Sequence, residues 1–587
     1  GYEDDFSAAF QALEEARQSG FSPQIIHATI AKLQFREHGA TPALLEYMKS
    51  GLAEGIREEE FLELYGEVLY QLHCFSELIG FAESLSIAEQ DSVRLQNLIG
   101  LAYMELELLS DAEAHYNKCI HSFPNDPSAW INLSLLQEKR GDTAAAISSL
   151  RAALSVSPTH TEAIFNLASL QLYSNSNEAE QLLKEVIALN PSHGKACNHL
   201  GIVCMRQDRY EDACNYFDLA RQYLGDTAEL LNNMGLLAYQ RRDYADSEKL
   251  LRMAIQKDPE NREIHRNLAF SLLVQGKFCE GWNEYAWRLK DGAMKEKFCP
   301  LPEKSMIMPG MNLLVIPEQG LGDTIQFIRY FRDLQNLGAT VKFACPQELR
   351  QLVQLSEWNH TLPSSGDRTT AVTEYDMTLS LLSIPGMFIQ TTEDIRHTAS
   401  YLKADTETVQ RFKTRTDPES LNCGIAWQGN KTHKNDHRRS MKLEEMFPLF
   451  QVEGVKFHSV QKEIDGNAAE ILKMYSNVQV FPPELKDIAE TAALIMNLDV
   501  LVTVDTMVAH LAGALGKKVL LLLPYAPDWR WDCTGLTTGW YSEIELFRQV
   551  QPGDWSSPVA EAGKRLSGLV NQRRNVVHGQ KIVSKTH

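Results

Sequence analysis

An α-solenoid of helix pairs followed by two α/β lobes is the fold predicted by this 587-residue sequence. Three observations predict it. Asn97, Asn132, Asn166, Asn233 and Asn267 recur, with His199 in the one missing place, at intervals of 35, 34, 33, 34 and 34 residues. That is close to the 34-residue period of a helix-turn-helix solenoid. From Met311 a short apolar run, a Gly320-Leu321-Gly322-Asp323 turn and a helix-spaced segment succeed one another, and after residue 420 the same strand-loop-helix order restarts.

The solenoid region is assigned to residues 87–290. A small residue recurs at Ala112, Ala146, Ala179, Ala213 and Ser247, where paired helices must approach closely, and Pro124, Pro158, Pro191 and Pro259 end the second helices. The set Trp130, Leu133, Ala146, Ala153 and Pro158 fits the tetratricopeptide pattern. Residues 1–86 have helical apolar spacing, as at Phe61, Leu64, Val68, Leu69 and Leu72, without that consensus, and are assigned as degenerate repeats or a helical cap. Phe278, Trp282, Tyr285 and Trp287 in the last repeat are expected to dock the solenoid onto the next domain. In this pattern the asparagine position lies on the first helix of each pair, which lines the concave face. An amide there offers both a donor and an acceptor, as needed to hold a peptide backbone of any sequence. Asn97, Asn132, Asn166, His199, Asn233 and Asn267 are therefore the expected peptide-binding residues; the alternative is that they cap or bridge neighbouring repeats.

Residues 291–310 read as a linker. In the first lobe, residues 311–418, strands are expected at 312–316 and 340–344 and near 376–382, with a helix over 324–337 ending at Gly338. A polar stretch over 405–420 reads as linker-like. In the second lobe, 419–570, apolar runs at 423–427, 455–460, 498–504 and 519–523 mark strands, and 571–587 is assigned as a tail. Alternating strands and helices make parallel sheets, whose ligands bind beyond the carboxyl ends of the strands.

Three loops fall at such ends. The Gly320 and Gly322 turn permits close backbone approach at a helix start that favours an anion, and Asp323 is a candidate general base or the N-cap of the helix from Thr324. Loop 427–440 supplies Gln428, Asn430, Lys431, Lys434, Arg438, Arg439 and Ser440, whose cations suit a departing phosphate; a solvated charge run is the alternative. Asp505 and Thr506 end a strand and start a helix that carries His510 one turn on, and Gln461 and Lys462 end another strand. Trp529-Arg530-Trp531 either walls a ligand pocket or packs domains. No metal is expected, because neither an Asp-x-Asp element nor a His/Cys cluster of zinc spacing is present.

The charge balance, 57 basic against 77 acidic residues for a net −20, argues against nucleic acid as main partner. The ten cysteines are dispersed without a Cys-x-x-Cys pair and read as reduced core residues. No apolar stretch approaches the ~20 residues of a membrane span. A cytoplasmic location is expected. The chain begins with Gly1 rather than Met, as a truncated or processed chain would.

Gly320-Leu321-Gly322-Asp323 together with Asp505-Thr506 and His510-Leu511-Ala512 resembles the signature pair of lipopolysaccharide heptosyltransferases, two-Rossmann glycosyltransferases of the GT-B type, from Met311 to about Trp555. The repeat region resembles the arm of O-linked N-acetylglucosamine transferases, and the combination resembles bacterial protein O-glycosyltransferases, including those that modify flagellin. The resemblance implies a metal-independent transfer from a nucleotide sugar, a UDP- or CMP-sugar used as substrate rather than cofactor, to Ser or Thr of a protein held by the repeats. Asp323 would be the base, and Asp505, Thr506 and His510 would contact the donor. The heptose-recognition segments are not matched. Two other readings stand beside it: a lipopolysaccharide or glycan glycosyltransferase whose repeats only recruit partners, and a non-catalytic assembly scaffold.

Overall fold

The computed structural model describes residues 22–86, 92–290, 301–362, 375–395, 400–431, 435–481, 485–531 and 534–583, with residues 9, 12, 13, 15, 16, 19, 89, 298, 299 and 433. The chain forms two compact units, Gly1–Arg206 with Asn215–Leu224, and Gln207–Cys214 with Gly225–His587.

The first unit is a succession of helix pairs: Pro23–His38 with Pro42–Ala53, Glu59–Gln71 with Phe75–Ser84, Val93–Glu105 with Leu109–Ser122, Ser128–Lys139 with Thr143–Val156, and Thr161–Gln171 with Ser176–Leu189, followed by Gly194–Arg206. Polar side chains start several of them: Ser92, Asp142 and Asn175 each accept a hydrogen bond from the amide three residues on. In two pairs, Val93–Glu105 with Leu109–Ser122 and Gly194–Arg206 with Tyr210–Leu224, the first helix carries glycine where the second presents an aromatic ring. A Cβ on Gly100 would stand 2.2 Å from the Tyr116 ring, and one on Gly201 would stand 2.4 Å from Phe217.

A backbone feature extends the period beyond the consensus residues. Positive φ angles fall at Gly39, His73, Glu107, Gly141, Asp208, Arg242 and Gly276, in the turn between paired helices. Successive positions are 34 residues apart except across the shorter turn near Asn175. Residues 22–86 thus carry the same repeat without its side-chain signature.

The second unit contains the helices Ala228–Gln240, Tyr244–Lys257, Arg262–Leu273 and Phe278–Tyr285, then two parallel sheets. In the first sheet β1 (Asn312–Ile316) lies between β2 (Thr340–Phe343) and β3 (Met377–Ser380). The second contains β4 (Leu421–Ala426), β5 (Val455–Ser459), β6 (Val478–Val480), β7 (Val500–Val504), β8 (Val519–Leu523) and β9 (Ile544–Arg548), in the order β6-β5-β4-β7-β8-β9. Strands β7 and β8 are almost wholly apolar because both faces are covered. Leu501, Val519, Leu521 and Leu523 face one core, and Val500, Val502, Val504, Leu520 and Leu522 face another beneath Val559, Ala562 and Leu566 of helix Ser556–Val583. The first of these cores is continuous with Phe278, Trp282 and Tyr285 of the last repeat and with Leu313, Val315 and Ile325 of the first lobe. Those aromatic residues dock repeat to sheet; Trp287 instead stacks on His265, ring centres 3.7 Å apart.

Three expectations change. The helix over 324–337 is broken into Leu321–Phe327, a 3-10 turn Ile328–Tyr330 and Phe331–Asn336. The linker-like stretch 405–420 holds a helix, Thr406–Lys413, capped by Asp405 and anchored by the one buried side chain Phe412. The tail from 571 continues helix Ser556–Val583, held by Arg573, which donates to Asp499 Oδ2 at 2.7 Å and to the Pro418 carbonyl at 2.9 Å. None of the nine described cysteines is in a disulfide, and no helix among the described residues is long and apolar enough to cross a membrane.

Candidate functional site

The order β6-β5-β4-β7-β8-β9 reverses direction between β4 and β7, and in such sheets the crevice outside that reversal is where ligands bind. The loops leaving β4 and β7 are 427–440 and Asp505-Thr506. Strand β1 of the other sheet leads into Gly320-Leu321-Gly322-Asp323. The structure brings this turn against the helix Met507–Ala514. A Cβ on Gly322 would stand 3.1 Å from His510 Cδ2 and 3.4 Å from Met507 Cα, so only glycine fits without displacement.

Asp323 is not an N-cap. Gly320 holds that position, Asp323 is the third helical residue, and its Oδ2 accepts the Gly320 N–H at 3.0 Å. Its Oδ1 accepts from Arg530 Nη2 at 2.5 Å. Arg530, in the 3-10 turn Trp529–Trp531, is buried and also donates from Nη1 to Asp528 Oδ1 at 2.8 Å. Trp531 stacks on His510 at 5.1 Å, and His510 Nδ1 lies 3.0 Å from the Tyr541 hydroxyl. Burial, reinforced by Arg530, Arg329 and Arg439, holds the His510 pKa well below the usual imidazole range, so the ring is neutral.

Asp505 is half-buried at the end of β7. Desolvation, and then the neighbouring Asp528, raise its pKa from 3.8 to about 6 against the opposing pull of Arg439 and Arg530. A group that holds its proton more tightly when folded loses stability as pH rises between those two values. Asp505→Asn is therefore expected to stabilise the protein by about 1–2 kcal/mol at pH 8, less than the ~3 kcal/mol of the whole shift because the group is partly solvated. The gain should vanish below about pH 4; chemical denaturation across that range measures it.

Thr506 is buried at the N-cap of Met507–Ala514, makes no side-chain cap bond, and lies 3.5 Å from the Thr503 hydroxyl. In loop 427–440, Ser440 Oγ accepts the Gly429 N–H at 2.9 Å and donates to Asp436 Oδ1 at 2.8 Å, and Arg439 Nε donates to that same oxygen at 3.3 Å. Arg438 is turned elsewhere, donating to Asp208 at 3.2 Å. Asn430 and Lys431 stand at the outer part of the loop, and Lys434 lies outside the described residues. Gln461 does not point at a ligand: its Oε1 accepts the Trp427 and Gln428 amides at 3.2 and 3.1 Å and its Nε2 donates to the Gln428 carbonyl at 3.1 Å. It positions the loop backbone. Lys462 is exposed. The structure therefore gathers Gly320, Gly322, Asp323, Arg439, Asp505, Thr506 and His510, and adds Asp528, Arg530, Trp531 and Tyr541. Of these additions the sequence flagged only the Trp-Arg-Trp turn.

On the repeats, Asn132 Nδ2 donates to Asn97 Oδ1 at 3.2 Å, and Asn267 Nδ2 donates to Asn232 Oδ1 at 2.9 Å. Both bonds span 35 residues: the first joins two ladder positions, and the second reaches the residue just before the ladder position Asn233. Bridging between repeats is thus one use of these amides. Asn166 is half-buried and Asn233 buried. His199 lies 3.2 Å from Ser169 Oγ, stacks on Phe165 at 5.0 Å, and has its pKa lowered to about 4 by burial. Asn97 also lines a hollow of about 560 Å³ with Glu59, Glu63, Arg94, Leu101 and Ser128, all on first helices or at their starts.

The tetratricopeptide repeat family matches residues 97–163, 174–226 and 232–280. The repeats are tetratricopeptide repeats. Over 558 residues the chain is 23% identical to protein FlbA of Caulobacter vibrioides, covering 82% of this chain and 92% of that one, so the likeness extends beyond the repeats into the sheets. It is 21% identical over 237 residues to anaphase-promoting complex subunit CDC16 of Saccharomyces cerevisiae, covering 39% of this chain and 28% of that one. Among solved structures, the APC/C hetero-tetramer Cut9-Hcn1 superposes with a TM-score of 0.36 at 16% identity, covering 50% of this chain and 59% of that chain.

Proposed function

We propose that the protein is a glycosyltransferase of the GT-B type that moves a sugar from a nucleotide-sugar donor to Ser or Thr hydroxyls of a protein bound by its repeats, flagellin being the acceptor class to which the sequence resemblance points. The observation that carries this reading is the apposition of Gly322 and His510, which joins the two signature loops at the reversal point of the second sheet. The chemistry rests on the side chains assembled there. The acceptor O–H gives its proton to Asp323 while its oxygen bonds the anomeric carbon. The bond from that carbon to the donor phosphate breaks, and the phosphate leaves with the electron pair near Arg439, Arg530 and the amide end of Met507–Ala514. Neutral His510 adds no charge and serves as a hydrogen-bonding wall. The cations balance the leaving group, so the scheme calls on no metal.

The test is mass spectrometry of candidate acceptor proteins after incubation with the purified protein and a panel of UDP-, CMP-, GDP- and ADP-sugars. An adduct of the mass of one sugar residue on a Ser or Thr is expected; modification of an oligosaccharide and of no polypeptide would refute the reading. Joint replacement of Asn132 and Asn267 by Ala should raise the KM for the protein acceptor about five- to tenfold. That is the size expected for one or two lost hydrogen bonds, and donor hydrolysis should be unchanged.

A further inference from the structure

We infer that Asp323 and Arg530 form an interlock in which the anionic part of the donor must take over the guanidinium before Asp323 can accept a proton, an inference that rests on the glycosyl-transfer reading above. Both carboxylate oxygens of Asp323 are engaged, Oδ2 by the Gly320 amide at 3.0 Å and Oδ1 by Arg530 Nη2 at 2.5 Å. The Arg530 side chain is 9% exposed and that of Asp323 20%, so the pair lies at the inner edge of a site reachable from the Asp323 side. Asp528 holds Nη1 at 2.8 Å, while Nε is buried with no hydrogen-bond partner among the described residues. In a guanidinium Nε–H and Nη2 form one edge, the one that phosphate and carboxylate grip with two parallel bonds. Asp323 therefore occupies half of a two-point edge and leaves a buried donor unpaired.

A phosphate oxygen pair satisfies the whole edge. When it does, Oδ1 of Asp323 is released toward the acceptor hydroxyl, while Asp528 keeps the guanidinium in place. The predicted order is donor first, acceptor second, with no basic carboxylate offered to a hydroxyl in the empty site.

Calorimetric titration of the full chain with the 5′-mono- and diphosphates of uridine, cytidine, guanosine and adenosine distinguishes the possibilities. Whichever nucleotide binds the wild type should bind Asp323→Asn about tenfold more tightly, because the competing carboxylate charge is gone. Equal or weaker binding by the variant would overturn the interlock and leave the glycosyl-transfer reading standing. Failure of every nucleotide to bind either protein would overturn that reading, and the interlock with it. If thermal melting shows Asp323→Asn to be unfolded, Asp323→Ser is judged by the same outcomes.

Discussion

Asp323→Asn is expected to lower kcat for sugar transfer by roughly a hundred- to ten-thousandfold, the range for loss of a positioned general base. The amide keeps the oxygen that accepts the Gly320 N–H, so the turn retains its geometry. Arg530 loses one of two carboxylate partners and keeps Asp528, which limits the cost in stability to about 1–3 kcal/mol, below that of breaking an isolated buried pair. Steady-state kinetics with a melting curve measures both effects, and full turnover by a folded variant would remove Asp323 as base. A fall in kcat accompanied by tighter nucleotide binding separates loss of a base from loss of the site's shape, since distortion of the turn would weaken both.

The parts of this molecule that were legible in the sequence are those that repeat or that are set by neighbours along the chain. The solenoid could be read because its packing recurs: the buried small residues Ala112, Ala146, Ala179, Ala213 and Ser247 return at the period of the asparagine ladder. Before residue 87 the series of small residues lapses, Leu78 standing 34 residues before Ala112, while Gly66, 34 residues before Gly100, and the left-handed turns at Gly39 and His73 preserve the period, the last a backbone signal that side-chain identity does not report at a histidine. The strand ends and their loops were legible because apolar runs stop where proline or a polar residue begins, as at Pro317, Gln428 and Asp505. Asp323 was misplaced by one element boundary: Gly320 takes the N-cap and moves the aspartate into the first turn.

Arg530 was illegible for a different reason. Its partner Asp323 is 207 residues away in the sequence, and nothing local distinguishes an arginine between two tryptophans that packs from one that pairs. Gln461, just past a strand end, and Arg438, in the loop after β4, show the converse error: their side chains turn to the Gln428 backbone and to Asp208. A strand end predicts where a side chain starts, while its partner is set by whichever unsatisfied group the fold brings nearby.

The second large effect concerns the core that joins the last repeat to the sheets. Trp282→Ala is expected to destabilise the unit containing both sheets by about 3–5 kcal/mol, the range for emptying a buried tryptophan site. Trp282 is 6% exposed. It meets Trp529 edge-on at 5.4 Å, and a Cβ on Gly386 would approach its Cγ to 3.0 Å, so glycine is what admits the indole. The indole Nε1 has no hydrogen-bond partner among the described residues, which makes the contribution one of volume and ring contact. Trp282→Phe should therefore cost only about 1–2 kcal/mol, since it keeps an aromatic edge and forfeits no hydrogen bond. Denaturant unfolding of the two variants measures the difference; a Phe variant as unstable as Ala would mean that the indole nitrogen is bonded after all. Trp529 immediately precedes Arg530, so the Ala variant should also loosen the Asp323–Arg530 pair and reduce kcat beyond the loss of folded protein, whereas Phe should preserve it.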